Sequence, residues 1–142
     1  VATATAGDAE MQVRIQNHQK QRASCWRLIE EPLALAEVLT TFNQPQHYLL
    51  IDCLTLWLSN ALHQGHWSVI KKQFVQALEL TRANVYMVGN EVGQGVVPMG
   101  ELSRQFVDEN GWLHQELASI CDNVTLVVAG LPLHLKEPQP RA

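Results

Sequence analysis

Three short apolar runs constrain this chain more than any other feature. Tyr48-Leu49-Leu50-Ile51, Asn84-Val85-Tyr86-Met87-Val88 and Val124-Thr125-Leu126-Val127-Val128-Ala129 are continuous, partly β-branched and followed by glycine or polar residues. That is the pattern of strands buried on both faces. Between and before them, helical periodicity covers residues 8–22, 32–42, 54–63, 67–81 and 101–121. Pro32 suits a first helical turn, where its missing N–H costs nothing. Strands alternating with helices predict an α/β fold, a mostly parallel sheet with helices on both faces. Residues 1–136 read as a single domain, and 137–142, Glu-Pro-Gln-Pro-Arg-Ala, as a flexible tail. Residues 1–5 read as the end of a strand that begins upstream, so the sheet is expected to be incomplete on its N-terminal side.

Bulk composition narrows the class. A chain of 142 residues, 46% hydrophobic and 17% charged, is long enough and apolar enough to bury a core. Ten basic against fourteen acidic residues give a net charge of −4, which argues against a nucleic-acid partner, whose footprint is a basic face. No apolar run reaches the length of a membrane span. Cys25, Cys53 and Cys121 are scattered and odd in number, which suggests buried thiols in a reducing compartment and a cytoplasmic protein.

In open α/β sheets, ligands gather beyond the carboxyl ends of the strands. Thr3-Ala4-Thr5, Asp52-Cys53, Gly89-Asn90-Glu91 and the stretch from Gly130 onward are expected there. Asp52 closes its apolar strand, a placement that suits a Mg²⁺ contact beside a nucleotide or an N-cap for the next helix. The loop 90–98 is punctuated by Gly93 and Gly95 but has neither Rossmann nor Walker A spacing, so it reads as a connection in which glycine permits unusual backbone angles. In helix 8–22, Asp8 can cap the first turn, and Glu10, Arg14 and His18 fall in one column. That column is either a solvated charge ladder or a phosphate-facing strip, with Arg14 binding an anion and His18 acting as nucleophile or base. His47, His63, His66, His114 and His134 have no partners at metal-ligand spacing. Trp26, Trp57, Trp67 and Trp112 read as packing residues.

Several segments together resemble one family. They are Ala2-Thr3-Ala4 with Asp8-x-Glu10-Met11-x-x-Arg14-Ile15-x-x-His18, Arg22-x-x-x-Trp26 with Glu30-Glu31-Pro32, and Leu50-Ile51-Asp52-Cys53-Leu54-Thr55-Leu56-Trp57-Leu58. Asn90-Glu91-Val92-Gly93-x-Gly95-Val96-Val97-Pro98, Gly111-x-x-x-Gln115-x-Leu117-Ala118 and Val127-Val128-Ala129-Gly130-Leu131-Pro132 complete the set. In this order they resemble the bifunctional adenosylcobinamide kinase / adenosylcobinamide-phosphate guanylyltransferases across nearly the whole chain.

The resemblance implies a P-loop NTPase-like (RecA-like) fold and a homotrimer. It implies phosphorylation of adenosylcobinamide by a nucleoside triphosphate, then transfer of GMP from GTP to adenosylcobinamide phosphate through a guanylyl-histidine. That role falls on His18, whose neutral imidazole can attack phosphorus near neutral pH. Thr3, Ala4, Thr5, Gln19, Lys20, Gln21, Arg22, Glu30 and Asp52 match nucleotide-contacting positions, with Asp52 a candidate Mg²⁺ contact and GTP, ATP and Mg²⁺ as the implied small molecules. His114 departs from the family's usual Asn, and Leu28 from its common Thr. The family's opening strand and Gly-x-x-x-x-Gly-Lys-Ser loop do not occur in these 142 residues. On that reading the strand, loop and first helix are missing and triphosphate binding is impaired. The competing readings are a non-catalytic remnant and an unrelated nucleotide-binding α/β domain.

Overall fold

The computed structural model describes residues 1–5, 7, 9–21 and 25–138; the side chains of Met11, Arg14, His18, Gln19, Lys20 and Gln21 lie outside that description. In chain order the elements are α1 (Ala9–Gln21), α2 (Leu35–Thr41), β1 (Tyr48–Asp52), α3 (Leu54–His63), α4 (Trp67–Leu80), β2 (Asn84–Val88), α5 (Glu101–Ile120), β3 (Val124–Val128) and β4 (Leu131–Lys136). It is a mixed α/β chain with a parallel sheet. Where the sequence reads as one domain over 1–136, the structure divides into two compact units, Val1–Asn90 and Glu91–Ala142. Of the tail read at 137–142, residues 139–142 lie outside the described residues.

In the first unit, β1 and β2 pair in parallel, Leu49 opposite Val85 and Asp52 opposite Val88. Residues 1–3 run along the other edge of β1. The Asp52 N–H donates to the Val1 carbonyl at 2.9 Å, and the Thr3 N–H to the Asp52 carbonyl at 3.1 Å. Beyond them lie residues 29–31: the Ala2 N–H donates to Ile29 O at 2.8 Å and the Glu31 N–H to Ala2 O at 3.0 Å. The order across the sheet is therefore 29–31, 1–3, β1, β2, all parallel. Parallel neighbours need long crossovers, and the helices supply them. α2 begins later than the periodicity from Pro32 predicts, because the Glu31 carboxylate takes the N–H groups of Leu33 (2.9 Å) and Ala34 (2.7 Å) in a turn.

The core of this unit forms where α2 and α3 pack on α4. Leu35, Leu39, Ile51, Trp57, Leu58 and Phe74 are almost wholly buried. Trp57 meets Trp67 edge-on at 5.1 Å and Phe74 at 4.8 Å between centroids, a geometry that suits the aromatic quadrupole. Trp57 and Trp67 are the packing residues expected; Trp26 and Trp112 are exposed instead, so for those two the expectation fails.

Burial on both faces fails for all three strands: β1 buries Leu49 and Ile51 on one face, while on the other Tyr48 is exposed and Leu50 half-buried. β2 alternates, with Tyr86 and Val88 exposed, because among the described residues it pairs only with β1. β3 lies outside the parallel sheet: it pairs antiparallel with β4, Val128 opposite Leu131, and a two-stranded ribbon cannot cover both of its faces. The stretch from Gly130 onward is thus a strand rather than a strand-end loop. Ala129 (φ 52°) and Gly130 (φ 77°) turn the chain with both central residues left-handed, the signature of a tight type I′ hairpin. In the same unit Leu113 and Leu117 of α5 are buried. The Lys136 ammonium donates to the carbonyls of Ala118 (2.9 Å) and Ser119 (3.2 Å) at the helix's C-terminal end, where a cation is favoured. Burial pushes the neighbouring Cys121 thiol's pKa up, with Lys136 opposing and Asp122 reinforcing. The expected burial of the three thiols is not met: Cys25 is exposed, and Cys53 and Cys121 are half-buried.

Candidate active site

The strand order of the first unit contains a topological switch point. After residues 1–3 the chain pairs on one side with 29–31, then crosses to the other side as β1. The connections diverge between residues 1–3 and β1, and a switch point of this kind opens a cleft beyond the carboxyl ends. Ala2 is the partner of both Glu30 and Asp52. Residues in register on parallel neighbours project to the same face, so the two carboxylates flank Ala2 in one row, about 10 Å apart at two strand spacings. Glu30 is exposed and Asp52 half-buried. The row continues to Val88 on β2.

Past this row the strand ends are tied together by α3. The Thr3 hydroxyl donates to Cys53 O at 2.7 Å and accepts from the Cys53 N–H at 2.9 Å. The Asn60 amide nitrogen donates to Thr3 O at 2.9 Å and to Pro32 O at 3.2 Å. One turn earlier, the Trp57 indole N–H donates to Leu33 O at 2.8 Å. The end of β2 joins the same helix, the Asn90 N–H donating to the Thr55 hydroxyl oxygen at 2.7 Å. Cys53, not Asp52, is the N-cap of α3, its sulfur accepting from the Leu56 N–H. The capping alternative for Asp52 is therefore excluded.

The residues expected at the site distribute as follows. Thr3 is fully buried and its hydroxyl is committed to Cys53, Ala4 is half-buried, and Thr5 is exposed. The backbone of His18, Gln19, Lys20 and Gln21 lies in the last turns of α1; their side chains, and Arg22 and the proposed cap Asp8 entirely, lie outside the described residues. Among the described residues no group of three His, Cys, Asp or Glu side chains could hold a metal ion. A lone Asp52 fits Mg²⁺ of the kind that keeps most of its waters and rides on nucleotide phosphates, not an all-protein cage.

In the second unit, Glu91 Oε1 accepts the Gly93 N–H at 2.7 Å, and Oε2 lies 3.9 Å from His114 Nδ1. A Cβ on Gly93 would stand 3.0 Å from that carboxylate. Neither Gly93 nor Gly95 adopts the left-handed backbone expected in this loop, since Gly65 and Gly130 are the described glycines with positive φ. No described helix is long and apolar enough to cross a membrane.

Comparison with known proteins decides the family. Residues 1–135 match the family model described as cobinamide kinase / cobinamide phosphate guanyltransferase. The chain belongs to that family. It is 48% identical over 139 residues to the bifunctional adenosylcobalamin biosynthesis protein CobP of Pseudomonas aeruginosa, covering 96% of this chain and 80% of that protein. It is 31% identical over 152 residues to the protein of the same description, CobU, of Escherichia coli, covering 96% and 84%. The family and these relatives are cobinamide kinase / guanylyltransferase enzymes. Sequence reading of this family member missed Asn60 and the scaffolding role of Thr3. The available signal was a polar residue three positions after Trp57, on the same helical face as an apolar side chain.

Proposed function

We propose that this chain carries the cobinamide kinase and guanylyltransferase activities of its family, with the nucleotide seated at the strand ends around Glu30, Ala2 and Asp52. The observation that carries the placement is the pairing of Ala2 with both Glu30 and Asp52 at the switch point. The start of α3 beside Asp52 adds a helix N-terminus, which favours phosphate. In the kinase step, the adenosylcobinamide hydroxyl attacks the γ-phosphorus of ATP or GTP, and the nucleoside diphosphate leaves. In the guanylyl step, a His18 imidazole nitrogen attacks the α-phosphorus of GTP, and the bond to the β-phosphate oxygen breaks to release pyrophosphate. The phosphate of adenosylcobinamide phosphate then takes the GMP from His18 and restores the free imidazole.

Ala4, Thr5, Gln19, Lys20, Gln21 and Arg22 complete the nucleotide contacts, and Thr3 contributes as a buried tie. Mg²⁺ would neutralise phosphate charge from Asp52. A P-loop NTPase-like fold, a cytoplasmic setting and a homotrimer belong to the same proposal. Calorimetric titration of the intact protein with GTP tests the placement. Asp52→Asn should weaken binding in Mg²⁺ by about tenfold or more, in line with the loss of a metal-supporting group, and Glu30→Gln should weaken it in Mg²⁺ and in EDTA alike. Equal affinity in both variants and the unsubstituted protein would remove the site from these strand ends.

A further inference from the structure

Residues 1–3 are bonded to β1 through the Asp52 N–H to Val1 O and the Thr3 N–H to Asp52 O, and to 29–31 through the Ala2 N–H to Ile29 O and the Glu31 N–H to Ala2 O. Past Ala2, side chains take over: the Thr3 hydroxyl holds Cys53, and Asn60 holds Thr3 O and Pro32 O. Glu30 and Asp52 sit on the two outer partners of this three-strand set, so the ties just past Ala2 bear on how the two carboxylates are presented.

We infer that Asn60 is a positioning residue for nucleotide binding, setting the spacing of Glu30 and Asp52 by tying two strand-end carbonyls to the helix that starts beside Asp52. This rests on the nucleotide reading of those two carboxylates. The chemistry suits the amide: Nδ2 carries two hydrogens, and its partners are two carbonyls, Thr3 O at the end of residues 1–3 (2.9 Å) and Pro32 O just past residues 29–31 (3.2 Å). An ionised carboxylate has no donor to offer, and a hydroxyl has only one. Trp57, three residues earlier on the same face, adds Leu33 O at 2.8 Å. The Thr3 hydroxyl closes the set against both polar backbone atoms of Cys53. A single face of α3 therefore connects the residue after Asp52 to both other strands, and Asn60 needs no contact with the nucleotide to act.

The test is equilibrium binding of Mg·GTP to the intact protein, reading the dissociation constant and the stoichiometry separately. A merely structural role reduces the folded fraction, and so the stoichiometry, without moving the dissociation constant. Asn60→Ala should raise the dissociation constant about tenfold or more with stoichiometry preserved, because small misplacements of binding groups are costly; Asn60→Ser, keeping one donor, should fall between. Leu39→Ala, in the buried α2 core, should lower the melting temperature and leave the constant unchanged. If Asn60→Ala does not fold, Asn60→Ser decides, since it keeps one donor at the same position; it should raise the constant measurably. An unchanged constant in the deciding variant, or an equal rise in Leu39→Ala, overturns the inference. Absence of GTP binding in the unsubstituted protein overturns the nucleotide reading itself, and the inference with it.

Discussion

The unit Val1–Asn90 and the unit Glu91–Ala142 solve the problem of short strands differently. In the first, each strand has a parallel neighbour and helices carry the crossovers. Side chains from α3 then bind the strand ends through Thr3, Pro32 and Leu33. In the second, β3 and β4 form a hairpin closed by a two-residue turn, and Val127, Val128, Leu131, Leu133 and Leu135 are exposed. One unit holds its strand ends on long-range contacts; the β3–β4 hairpin of the other is made by sequence neighbours. A row of side chains that spans three strands, as Glu30, Ala2 and Asp52 do, needs ties that cross strands.

The sharpest way to break this comparison is to substitute the same residue type in each unit. Trp57→Ala removes the side chain at the centre of the Trp67 and Phe74 contacts and should cost about 3–5 kcal/mol in denaturant unfolding. Trp112→Ala, at a position 55% exposed, should change stability by no more than about 0.5 kcal/mol. Comparable losses would mean that the two units do not differ as described. A smaller effect tests the hairpin. Ala129 sits at φ 52°, where a Cβ is disfavoured, so Ala129→Asn should gain about 0.5 kcal/mol through a residue suited to a type I′ turn. A loss on that substitution would argue against the turn geometry.

Legibility in the sequence divides along the same line. The helix over 54–63 and the strand at 84–88 occur as expected, because their periodicity and boundaries are local. The run 124–129 looked like the other strands, since continuous apolar character does not say which neighbour a strand will have. Ala129 in place of the usual Asn or Gly hid the turn, and Leu131–Lys136 went unread with Pro132 inside it. Asp52 is marked by its place at the end of an apolar strand and Glu30 by family resemblance, but their pairing with Ala2 depends on contacts between distant segments. For Asn60 the sequence offers only its place on the Trp57 face of the helix; its partners, Thr3 and Pro32, are 57 and 28 residues away.

Under the proposed function, GMP passes through His18 while the strand ends seat the nucleotide. Incubation of the intact protein with GTP labelled at the α-phosphate tests this transfer. Covalent label is expected that is lost in acid and kept in base, that maps to the peptide containing His18, and that is absent from His18→Ala. Label retained in His18→Ala, or found on a different residue, would contradict it.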